Sequence, residues 1–131
     1  MKSFPEVILK TIPHSKQRYR TPGDYFKKNG KWYIVVSKMN PDMEFLIKIH
    51  ELVELYLTQK RGVSEESITK FDIEFEKDRD KGVWKDEEPG DSPRAPYCRE
   101  HKFATMIEKL CCQELSVSWE EYEKTCIDIM K

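Results

Sequence analysis

The sequence predicts an α+β domain, with an N-terminal β-hairpin or small antiparallel sheet packed on three or four α-helices. Three observations predict it. Extended, turn-rich segments occupy residues 1–38, and helical periodicity follows them. Asn29-Gly30 joins two runs rich in aromatic and β-branched residues, as a type I′ hairpin turn requires. Asn40, Ser64 and Ser118 each stand where a side-chain oxygen can cap a helix. The 131 residues suit one domain, 1–131.

Each element has its own justification. Glu6 to Ile12 is a short apolar run closed by Pro13, and Thr21-Pro22-Gly23-Asp24 is a turn signal. The hairpin arms are Asp24 to Lys28 and Lys31 to Ser37. A helix is expected over 40–61, with Asn40 as cap, Pro41 in its first turn and Gly62 as its stop. Its buried face should be Phe45, Leu46, Ile49, Leu52, Val53 and Tyr56. A shorter helix over 64–75 carries Ile68. Residues 76–96 mix Pro, Gly and charges around Trp84 and read as a long loop, functional or mobile. A further helix over 97–115 should bury Phe103, Met106, Ile107 and Leu110. Ser118 and Glu121 form a capping box that opens the last helix, 119–130.

Composition narrows the functional classes. Lys and Arg total 23 against 24 Asp and Glu, so there is no basic footprint for nucleic acid. No apolar run is long enough to span a membrane. The opening Met-Lys-Ser-Phe-Pro-Glu lacks a following apolar stretch, so no secretory signal is expected. Cys98, Cys111, Cys112 and Cys126 form no Cys-x-x-Cys pair and read as free thiols of a cytoplasmic protein. The alternative is a Cys112 that faces a polar site.

The chemistry concentrates on two helices. His50 and Glu54 are four residues apart and share one face, with Glu51 beside them. His101, Ala104, Thr105 and Glu108 share a face of the later helix, where the small Ala104 permits close approach. If these faces pack together, His50, Glu54 and His101 can converge as a His2Glu ligand set for zinc or another divalent metal. Such an ion lowers the pKa of a bound water toward ~7. Glu51 would be the catalytic general base, and Glu108 a further ligand or the partner that orients an imidazole.

The segment His50-Glu51-Leu52-Val53-Glu54 resembles the HExxH helix of zincin metallopeptidases, with Glu54 where that motif has its second His. The resemblance implies His50 as first ligand, Glu51 as base, Glu54 as second ligand and His101 as the ligand from a later helix. It also implies a zincin-like layout, in which a sheet precedes the motif helix and a strand binds an extended peptide substrate. The whole chain is similar to small bacterial and phage proteins with an HELVE-type helix, a Glu-Pro-Gly-Asp loop and an Ala-Pro-Tyr segment, a resemblance that implies no activity.

Two other classes compete. Glu51, Glu54, Glu100 and Glu108 with two His could form a carboxylate-rich site for Mg²⁺, Mn²⁺ or iron, although neither helix carries a Glu-x-x-His pair. A nucleotide pyrophosphohydrolase would be a variant of this, but Lys and Arg near the motifs are few. The chain could instead be a non-enzymatic interaction module, with the hairpin edge open to strand addition and His50 and His101 as a buried polar pair. Glu87-Glu88-Pro89-Gly90-Asp91 reads as a plain acidic loop, with a lid over the site as its functional alternative. Its spacing does not match an EF-hand, which argues against calcium. Trp32, Trp84 and Trp119 are expected in core or lid packing, and His14 has no evident partner.

Overall fold

The structure is a computed structural model describing residues 2–131. Strands β1 (Val7–Ile12), β2 (Gly23–Lys28) and β3 (Lys31–Ser37) form one sheet in the order β1-β3-β2. Helices α1 (Pro41–Lys60), α2 (Glu65–Asp80), α3 (Cys98–Glu114) and α4 (Trp119–Ile129) follow, which makes the protein α+β as expected.

The hairpin turn is as anticipated: Asn29 and Gly30 have φ of 53° and 77°, the left-handed pair that a type I′ turn needs. The sheet is mixed, not antiparallel. β1 pairs parallel to β3, while β2 pairs antiparallel to it. The chain passes from β1 at one edge to β2 at the other and leaves the middle position to β3. β3 takes that position because Trp32, Ile34, Val35 and Val36 are all buried there. β1 carries the exposed Leu9 and remains at the edge.

Asn40 accepts a hydrogen bond from the Met43 amide at 2.9 Å, and Pro41 occupies the first turn of α1. Leu46 and Leu55 of α1 close over Ile34 and Val36 of the sheet, all four fully buried. Each such side chain contributes about 1.5–3 kcal/mol by leaving water. Ile68, Tyr97, Cys112 and Tyr122 complete the core from the other helices.

Three further expectations need correction. α2 runs to Asp80, not to 75. Its last turn looks like loop sequence because it is highly charged, yet Arg79 pairs with Glu76 at 2.7 Å and lies over the Phe75 ring. Arg79 also donates to the carbonyls of Lys85 and Glu87, and Trp84 stacks on Phe75 at 4.9 Å. The segment after α2 is therefore tied down, and it includes a 3₁₀ turn at Pro89–Asp91.

The second correction concerns α3. Of the stripe expected to be buried, Phe103, Met106 and Leu110 face outward, exposed at 46%, 63% and 62%, and Ile107 is half-buried. The inward residues are Glu100, His101, Ala104, Glu108 and Cys112. α1 shows the same inversion in part: Phe45 is exposed, while Glu44, His50, Glu54 and Thr58 are buried. The two helices meet across charged and polar side chains, so apolar periodicity points away from their contact. The third correction is His14, whose Nδ1 lies 2.8 Å from the Ser37 hydroxyl. All four cysteines are free, and Cys112 is directed to the Val117 carbonyl. Among the described residues, no helix is long and apolar enough to cross a membrane.

Candidate metal centre

α1 presents His50 and Glu54 to α3, and Ala104, fully buried, lets the helices approach. Three donor atoms meet between them. His50 Nε2 lies 3.0 Å from Glu54 Oε2, His101 Nδ1 lies 3.1 Å from the same oxygen, and the two nitrogens are 3.2 Å apart. The expected convergence of His50, Glu54 and His101 is thus what the fold produces.

Each imidazole is held from behind by carboxylates. His50 Nδ1 donates to Glu108 Oε1 at 2.7 Å. Glu108 is fixed in turn by the hydroxyl of Tyr122 on α4. His101 Nε2 donates to Glu88 at 3.1 Å and lies 3.3 Å from Asp91. The acidic loop is therefore part of the site. Gly90 seats it there: a Cβ at this position would overlap the His101 ring. Gly23 plays a similar part on the opposite side, where a Cβ would come within 2.7 Å of Glu51 Oε1.

A cavity of about 580 Å³ opens on this cluster, lined by His50, Glu51, Glu54, His101 and Glu108 among others. Thr105, Trp119 and Cys126 also reach it. Burial and the neighbouring Glu54 and Asp24 push the Glu51 carboxyl well above its ordinary range, although His50 and His101 oppose them. Tyr25 also lines the cavity, with its buried hydroxyl beside Thr58 and Glu54. Glu100, considered above for an oxygen-rich site, is instead bound by Arg61 at 2.8 Å.

Electrostatics without a metal ion follow from the same contacts. Burial alone would lower the His50 pKa, but Glu108 and Glu54 outweigh it and lift the imidazole to about 10. His101 is raised too, since Asp91, Glu54 and Glu88 overcome its burial. Burial would raise Glu54, but its hydrogen bonds from His101 and His50 hold it at about 2.

A second buried carboxyl escaped the sequence reading. Asp72 accepts the hydroxyls of Tyr19, at 3.0 Å, and Tyr97. The signal was its place between Ile68 and Phe75, a polar residue in an apolar frame. Burial pushes Asp72 up to about 7, with the tyrosine bonds opposing and Glu54 and Asp24 adding to the rise. A carboxyl raised in the folded state favours folding most below its unfolded pKa of ~3.9. That contribution is lost as pH rises toward 7. Asp72→Asn should therefore flatten the stability profile between about pH 4 and 7. Denaturant unfolding of both proteins across this range checks it, and parallel profiles would refute it.

Comparison with known proteins finds no matching family, no matching curated protein and no matching solved structure.

Proposed function

We propose that this protein binds one divalent metal ion through His50, Glu54 and His101 and uses it to hydrolyse a substrate held in the cavity. The observation that carries the reading is the opposed arrangement of the two imidazoles. Each gives its outer N–H to a carboxylate, and each then turns its inner nitrogen toward Glu54. In the neutral tautomers so fixed, two nitrogen lone pairs and a carboxylate oxygen share one point, an arrangement that repels itself unless a cation or proton sits within it.

The spacing fits an ion. Donors bound tetrahedrally at ~2.0–2.1 Å stand about 3.3–3.4 Å apart. The three atoms here are separated by 3.0–3.2 Å and need move only slightly. Two nitrogens and one oxygen favour zinc over Mg²⁺. Bound zinc would supply Lewis acidity and an activated water. Glu51 stands next along α1, in the same cavity, as the candidate base that takes a proton. The zincin resemblance agrees with these roles and suggests a peptide substrate.

A structural salt cluster is the second reading, favoured by the raised pKa of both imidazoles in the absence of metal. Two imidazolium ions among Glu54, Glu108, Glu88 and Asp91 would then hold α1, α3 and the loop together. Metal analysis separates the two. The proposal expects one equivalent of zinc taken up by the purified apo-protein, with a rise in Tm. No uptake of zinc, manganese or iron, and no shift in Tm, would leave the salt cluster.

A further inference from the structure

The outward stripe of α3 is the largest investment of apolar residues that the fold leaves unused. Phe103, Met106 and Leu110 are spaced by three and then four residues, the spacing of a helix-pairing seam. They lie on the side of α3 away from His101, Ala104 and Glu108, and all three are exposed. A lone exposed Leu is ordinary, but a continuous seam is a mark of association.

We propose that the seam pairs with its own copy, α3 against α3 in antiparallel orientation, to form a two-fold dimer. Charge placement selects this occupant and this direction. Arg99 flanks the seam near the start of α3 and Glu114 ends it, both exposed. In an antiparallel pair centred between Met106 and Ile107, Phe103 faces Leu110 of the other copy, and Arg99 faces its Glu114. A two-fold axis supplies each contact twice. A parallel pair would set Arg99 against Arg99 and Glu114 against Glu114. The antiparallel pair also opposes the helix dipoles favourably.

The pairing leaves the cavity accessible, because the seam and the His101 face are on opposite sides of one helix. α3 has 17 residues, so it offers a contact about 25 Å long. One helix pair of that length buries less than the ~1,600 Å² of a standard interface. The dimer is therefore reversible and depends on concentration.

Analytical ultracentrifugation of the full chain, up to near-millimolar protein, tests this. The expected result is a monomer–dimer equilibrium that Met106→Asp abolishes. Arg99→Glu and Glu114→Arg should each weaken the dimer by about tenfold, the effect of ~1.4 kcal/mol. The double variant should restore it, because the charges then match again. Circular dichroism should show all variants folded, as every changed side chain is exposed. A monomer at every concentration would overturn the proposal. So would a dimer indifferent to Met106→Asp, which would use another face, or singles that leave the affinity unchanged, which would indicate a parallel pair.

Discussion

Replacing His50 by alanine should destabilise the protein by about 3–5 kcal/mol and abolish the metal uptake proposed above. His50 is 8% exposed and bridges two carboxylates, Glu54 at 3.0 Å and Glu108 at 2.7 Å. The alanine variant leaves both acids buried with one fewer cationic partner, beside the space the ring had filled. Glu54 retains His101, and Glu108 retains the Tyr122 hydroxyl, so the fold need not collapse. The penalty should also depend on pH. In the metal-free protein the imidazole is lifted to about 10, so its contribution is complete below the unfolded value of ~6.5. It is lost as pH climbs through the folded value. The gap between wild type and His50→Ala should therefore narrow from about pH 7 to pH 10. Urea unfolding at both ends of that range measures it. A difference below ~0.5 kcal/mol at pH 7 would show that His50 is not the keystone of the cluster.

This cluster also explains where sequence reasoning succeeded and where it stopped. Asn29-Gly30, Asn40-Pro41 and Gly62 act through local backbone preferences, so the hairpin and the limits of α1 were legible. The pairing of His50 with Glu54 follows from helix geometry alone. Their meeting with His101, and the place of Glu108 behind His50, required only that two marked faces pack together. The orientation of α3 was not legible from its apolar pattern, because that pattern assumes that apolar faces turn inward. Here the interface of α1 and α3 is built from imidazoles, carboxylates and one alanine, and the apolar stripe is left outside. The rest depended on long-range contacts. The parallel pairing of β1 depends on how the chain crosses after Pro13. Glu88 and Asp91 reach His101 because Arg79 holds the preceding loop and Gly90 lets the backbone approach the ring. Nothing in a count of charges marks those two acids as different from their neighbours.

Glu51→Gln should reduce a metal-dependent hydrolytic rate by about 10²–10⁴-fold while leaving metal binding intact. It should also make the metal-free protein more stable, and this opposition is the informative part. Glu51 faces the cavity, has no hydrogen-bond partner among the described residues, and lies near the negative Glu54. Burial raises its pKa well above the usual value, so ionising it above the unfolded value of ~4.3 works against folding. Glutamine has the same shape without the charge and removes that penalty. Nothing in the packing requires a carboxylate here, since the amide of Gly23, the backbone beside it, already donates to Thr21. A residue that costs stability and could be replaced isosterically is a poor structural element and a reasonable proton acceptor. Bound zinc would reverse the electrostatics, because a nearby dication favours the ionised form that a base requires. Stability should thus favour glutamine in the apo-protein, and the advantage should shrink once zinc is bound. Thermal unfolding of both proteins with and without zinc reads this directly. If glutamine destabilises the apo-protein, Glu51 holds the fold and its assignment as base fails.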